Sequence, residues 1–226
     1  MLHSFLNLLF PRTCTSCHQP LQLNEALICT DCRFELPKTD SHIHPDEKII
    51  NRFAGKVLLK HVFSYLKFVK GGRTQQLMHA LKYKGKQEVG LLLGQWYGAE
   101  LKQLGFDKEF DLLIPIPLHK SRLKSRGYNQ AACFAQGLAT GLEIAMSEDT
   151  LVRNHQTVTQ IHKSRYERFE NMQGVFELKD VSFVRDKHLV LVDDTLTTGA
   201  TIEACALALL EAKPASISVI TAAVAY

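Results

Sequence analysis

The chain has 226 residues, which suits one large domain or a domain with a small module. Hydrophobic residues make up 46% and charged residues 22%, the balance of a globular chain and not of a disordered one. The net charge of +4 does not by itself indicate a nucleic-acid binder, and no apolar run of about 18 residues is present to span a membrane.

Residues 1–10 place Leu2, Phe5, Leu6 and Leu9 on one helical face, predicting a short amphipathic helix docked on the body. This stretch lacks the basic region and cleavage site of a signal peptide, so a cytoplasmic location is expected. Next come Cys14-Thr15-Ser16-Cys17 and Cys29-Thr30-Asp31-Cys32, two CxxC pairs with eleven residues between them. Two such pairs supply four thiolates, the ligand set of a tetrahedral structural zinc site. In a reducing compartment disulfides are the weaker alternative. His18 is expected to face solvent, because four cysteines already complete the set. Cys133 and Cys205 lie in helical apolar patterns and read as small buried hydrophobes.

The polar stretch 37–48 carries His42 and His44, both expected to be exposed. Residues 37–60 read as a linker between a zinc-binding module, 1–36, and a main domain, 61–226. Strands are predicted at 62–68, 111–117, 187–192 and 216–224, and helices at 73–82, 87–104, 129–142 and 201–212. This alternation predicts an α/β fold with a doubly wound, mainly parallel sheet.

One motif carries chemistry. Leu189-Val190-Leu191-Val192 predicts a central strand, and Asp193-Asp194 follow at its C-terminal end, where open α/β sheets bind ligands. Thr195-Leu196-Thr197-Thr198-Gly199-Ala200-Thr201 then leads into a helix. Such a loop offers N–H groups, hydroxyls and the positive end of a helix dipole to a phosphomonoester. The carboxylates suit sugar hydroxyls or a hydrated divalent ion. Together they point to a phosphorylated sugar. A P-loop is excluded, since it would need Gly-Lys-Ser or Gly-Lys-Thr.

The motif resembles the phosphoribosyl pyrophosphate (PRPP) signature of type I phosphoribosyltransferases. The resemblance assigns Asp193 and Asp194 to the ribose 2′- and 3′-hydroxyls. It assigns Thr195, Thr197, Thr198, Gly199, Ala200 and Thr201 to the 5′-phosphate. Thr195 stands where an aliphatic residue is usual. Three further stretches resemble the ComF family, of the ComFC or GntX type. They are residues 114–130, the run Leu81-Lys82-Tyr83-Lys84-Gly85, and the spread set Arg153, Gln160, Arg165, Arg168, Asn171 and Gly174-Val175-Phe176.

That resemblance implies a phosphoribosyltransferase-like fold with an N-terminal zinc-ribbon-like module, here with one zinc, and Mg²⁺ accompanying PRPP. It implies a link to DNA uptake, natural transformation or DNA processing. The implied partners are PRPP, single-stranded DNA, and a DNA-uptake helicase or other competence proteins. The pyrophosphate loop would lie at Leu118, His119 and Lys120. A lid in 151–171 would bring Lys163, Arg165 and Arg168 to the leaving pyrophosphate as catalytic cations, with Arg153 nearby. Lys120, Arg122, Lys124 and Arg126, with no acid between 112 and 142, would add a positive field. Tyr128 either stacks on a base or packs at a helix start. Three readings stay open: a PRPP-dependent transferase, a catalytically inactive PRPP- or nucleotide-responsive competence factor that binds single-stranded DNA, and a DNA-binding scaffold.

Overall fold

A computed structural model describes residues 11–153 and 175–226. The helix predicted at 1–10 and the lid cations Lys163, Arg165 and Arg168 lie outside the described residues. Strands β1 (Val62–Lys67), β2 (Leu112–Pro115), β3 (Ala145–Met146), β4 (Leu151–Arg153), β5 (Phe176–Leu178), β6 (His188–Leu196) and β7 (Ser216–Val224) form two sheets. The larger has the order β1-β7-β6-β2-β3, with every neighbouring pair parallel. β4 and β5 pair antiparallel beside it. The fold is thus the expected mainly parallel α/β sheet. β6 and β7 read as near-continuous apolar runs because both of their faces are covered.

The helices in chain order are α1 (Thr30–Phe34), α2 (Glu47–Ile50), α3 (Arg73–Tyr83), α4 (Gln87–Gln103), α5 (Lys120–Arg126), α6 (Gln130–Leu142), α7 (Val181–Val184) and α8 (Ala200–Leu210). One sheet face buries Leu113, Val190, Val192 and Ile220 against Leu81, Leu93, Phe134 and Leu138 of α3, α4 and α6. The other buries Leu112, Leu189, Leu191 and Val219 against Ile202, Cys205 and Leu209 of α8. Helices α4 and α6 touch backbone to backbone. A Cβ on Gly94 would lie 2.2 Å from the Phe134 carbonyl oxygen, and one on Gly137 would lie 2.2 Å from that of Leu91.

The cysteine module shares this core, since Cys14, Ile28, Cys29, Cys32 and Leu36 join the cluster that holds Tyr65 and Leu77. The Arg33 guanidinium stacks 4.6 Å from the Trp96 ring centre, and Arg73 bridges Glu35 and the Cys32 sulfur. Residues 37–60 pack along the sheet. Thr39 N–H donates to the Tyr65 carbonyl, Lys67 N–H donates to that of Pro37, and Ile49 and Phe53 are buried. His44 is exposed as expected, but His42 is not. Its ring meets Phe63 and Tyr97 edge-on, and burial holds its pKa below the ordinary value. Cys205 is fully buried as expected, whereas Cys133 on α6 is only partly buried.

Candidate functional site

β6 runs longer than its apolar stretch predicts, continuing through both acids to Leu196. Asp193 pairs with Thr221 and Thr195 with Ala223 of β7, so the acids sit on extended backbone. Consecutive strand residues point to opposite faces. Asp193 therefore shares the α8 face with Leu191, and Asp194 shares the α3 face with Val192. The pleat splits the acidic pair, and each carboxylate receives a different environment.

Asp194 meets α3. The Lys82 Nζ lies 2.9 Å from its Oδ1 and donates to the Thr195 Oγ1 at 3.0 Å. The Asp193 carboxylate accepts the Asp194 N–H at 2.8 Å, and among the described residues it has no ion pair. Burial raises its pKa, the neighbouring Asp194 charge adds to the rise, and Lys82 and Arg122 oppose it, leaving the group at about 7.

Beyond the acids the chain turns at Gly199, whose φ of +83° favours glycine, and enters α8. A side chain there would also collide with Phe53, whose ring lies 2.9 Å from where a Cβ would stand. The first N–H groups of α8 have no partner within the helix and face the anion-binding end of its dipole.

These parts close round a cleft of about 240 Å³. Asp193, Asp194, Thr195, Thr197, Thr198, Gly199, Ala200 and Thr201 all line it. Leu118, Asn129, Arg122, Arg126, Lys82 and Arg153 also line it. Four cations thus face two acids, which favours a ligand carrying several negative charges. Arg153 is half-buried beside the Phe176 ring, and among the described residues its Nε has no hydrogen-bond partner. Burial lowers its pKa, and the Arg122 charge adds to that. An orphaned guanidinium N–H beside a cleft suits an oxyanion.

Leu118 lines the cleft, but His119 and Lys120 do not. The alternation of basic residues from 120 to 126 hides a helix, α5, which no predicted element covers. His119 caps it, its Nδ1 accepting the Ser121 N–H at 3.2 Å, and Lys120 is its first residue and exposed. Winding brings Arg122 and Arg126, four residues apart, to the cleft and leaves Lys120 and Lys124 outside it. Tyr128 packs at the helix start, its hydroxyl donating to the Leu81 carbonyl. Lys82 and Asn129 are cleft residues to which no role was assigned from sequence. Both lie in the stretches that carry the ComF resemblance, the only signal that pointed at them.

The four module cysteines form a second site. Their sulfurs all lie within 4.8 Å of one another, and every cysteine is free. The Ser16 and Cys29 N–H groups donate to the Cys14 sulfur. Burial opposes ionisation of Cys14, but N–H groups of Cys17, Cys29 and Ser16 outweigh it and bring the thiol down to about 7. Converging sulfurs with N–H donors fit a metal such as zinc. Among the described residues no other such group of His, Cys, Asp or Glu occurs. His18 is exposed, with a left-handed φ of +64° in the knuckle turn.

A central parallel strand that ends in two acids and a hydroxyl-rich loop, in a cleft also lined by four cations, defines a phosphoribosyltransferase-like domain. The family model for the phosphoribosyl transferase domain matches residues 129–226. Lys82, Arg122 and Arg126 fall outside that match, as does the cysteine module. The chain is similar over most of its length to proteins named for DNA utilization and competence. It is 27% identical over 225 residues to the DNA utilization protein YhgH of Escherichia coli K12, covering 92% of this chain and 95% of that protein. It is 29% identical over 212 residues to the competence protein ComFC of Bacillus subtilis, covering 86% and 82% respectively. It is also 34% identical over 93 residues to competence protein F of Haemophilus influenzae, covering 41% of each chain.

Proposed function

We propose that the cleft binds PRPP and that the protein transfers the phosphoribosyl group to an acceptor. The observation that carries this reading is the convergence of the acid pair, the loop 195–201 and four cations on one cleft. Asp193 and Asp194 accept hydrogen bonds from the ribose hydroxyls, and the loop N–H groups hold the 5′-phosphate. Arg122, Arg126 and Arg153 face the pyrophosphate. As the anomeric C–O bond breaks, negative charge collects on the departing pyrophosphate, and these fixed cations stabilise it without reorganising. Holding sugar and phosphate at separate points aligns the anomeric carbon for attack.

Magnesium, when bound, screens the pyrophosphate charge. The residues fit it only in part, since Asp193 is the one cleft carboxylate without a cation partner among those described. The phosphates of the ligand would supply the remaining oxygens. The Cys14, Cys17, Cys29 and Cys32 cluster holds one structural zinc in this reading.

The relatives named for DNA utilization and competence support a role in the same setting, DNA uptake or processing, for this chain. Pyrophosphate release from PRPP and Mg²⁺ is measured over a panel of acceptors, beside calorimetric PRPP binding. Tight binding with release for at least one acceptor supports the transferase. Binding without release across the panel leaves a PRPP-responsive protein, and absence of binding removes both.

A further inference from the structure

The loop that would take the 5′-phosphate is held from behind by residues read from the sequence as linker. The Arg52 guanidinium donates to three carbonyls far away in the chain. Its Nη1 reaches the carbonyls of Leu196, at 3.3 Å, and Thr197, and its Nη2 reaches that of Ala225 at 2.5 Å. Leu196 and Thr197 are loop residues that line the cleft, whereas Arg52 does not line it. Their carbonyl oxygens are therefore engaged on the side away from the cleft. A peptide group whose C=O is held outward cannot swing that oxygen toward a bound phosphate, where it would repel the anion. The next residue, Phe53, is buried and fills the space beneath Gly199, the turn of the same loop.

The strap bearing these residues is itself anchored on both sides. Tyr226 donates to Asp46 at 2.5 Å, and Lys56 pairs with Glu203 of α8 at 3.3 Å while donating to the Arg52 carbonyl at 2.8 Å. Three hydrogen bonds from the guanidinium, with the buried Phe53 ring beside it, fix this arginine, and a fixed arginine holds the loop in one conformation.

We infer that Arg52 is a positioning residue for the phosphate loop, acting through the Leu196 and Thr197 carbonyls without touching the ligand. This rests on the PRPP reading, and it predicts a split that general loss of stability does not produce. In that reading the 5′-phosphate uses the loop, whereas pyrophosphate faces Arg122, Arg126 and Arg153, which lie outside the loop.

The test titrates ribose 5-phosphate and inorganic pyrophosphate separately, each with Mg²⁺, into full-length wild type, Arg52→Gln and Arg52→Lys. Arg52→Gln is expected to weaken ribose 5-phosphate by about tenfold or more. Pyrophosphate affinity should stay within about twofold, as for independent sites. Arg52→Lys keeps the charge and part of the donor set, so its loss should be intermediate. If Arg52→Gln does not fold, the same split in Arg52→Lys decides the matter. Unchanged affinity for ribose 5-phosphate in the folded variants overturns the inference. An equal fall for both ligands also overturns it, because that marks general damage. A wild type that binds neither ligand instead overturns the PRPP reading, and the role of Arg52 falls with it.

Discussion

At the residue scale, the two acids that look alike in the sequence become different groups in the fold. Period-two geometry sends Asp194 to Lys82 and leaves Asp193 desolvated beside a like charge. The folded pKa of Asp193, about 7, stands above its ordinary value of 3.8. The native state therefore binds this proton more tightly than the unfolded state. Its stabilising contribution is whole below about pH 4 and is lost as pH rises toward 7. Asp193→Asn removes that loss. At pH 8 the ligand-free variant should melt above wild type, by about 2–4 °C for each kcal/mol recovered, with no such gain at pH 4. Thermal melts across that range check this, and the same variant should lose PRPP affinity. Lys82→Met should have the opposite effect on stability. It strands a carboxylate that is largely buried, and a melting point lower by several degrees is expected.

The acid pair, the threonine loop and the four cysteines were legible because each packs a whole chemical requirement into a few consecutive residues. Lys82 stands within the run 81–85, but the sequence alone does not show its role. Its partner lies more than a hundred positions away, and only the sheet order brings α3 to the end of β6. Arg52 was hidden for the same reason. Its targets are carbonyls, which carry no side-chain signature.

At the scale of elements, the long helices and the main strands followed from periodicity. Helix α5 did not, because residues 120, 122, 124 and 126 satisfy a period of two while also filling positions four apart. With no acid and one leucine, that stretch shows no apolar face to fix its period. The α4–α6 contact was also unread. Gly90, Gly94 and Gly98 repeat every four residues, as do Gly137 and Gly141, and the spacing acquires meaning only once the two helices are known to be neighbours. Gly94→Ala would drive a methyl group into backbone, which cannot move aside as a side chain can. The expected cost is about 1–3 kcal/mol, the range for overpacked cores. Urea unfolding should show a lower midpoint with an unchanged slope, whereas Gly105→Ala, with open space round its Cβ position, carries only the strain of its left-handed φ.

At the scale of the molecule, the cysteine module, the segment 37–60 and the sheet share contacts instead of hanging as separate pieces. The cysteines sit in the core cluster of Tyr65 and Leu77, and Arg73 of α3 donates to the Cys32 sulfur. Removing the metal should therefore be felt in the main domain. Purified protein is expected to carry about one zinc per chain by elemental analysis, as the four-thiolate set implies. Chelation should lower the melting temperature of the whole protein, and Cys32→Ser should do the same. A melt unchanged by complete zinc removal would uncouple the module from the core.

The central claim is that one cleft grips the ribose of PRPP through Asp193 and Asp194 and its 5′-phosphate through the loop 195–201. A crystal structure of the protein with PRPP and Mg²⁺ tests it most directly. The account predicts the ribose hydroxyls within hydrogen-bond reach of the two carboxylates, the 5′-phosphate on the N–H groups that open α8, and the pyrophosphate beside Arg122, Arg126 and Arg153. PRPP bound elsewhere, or a cleft without it at saturating concentration, would contradict the account.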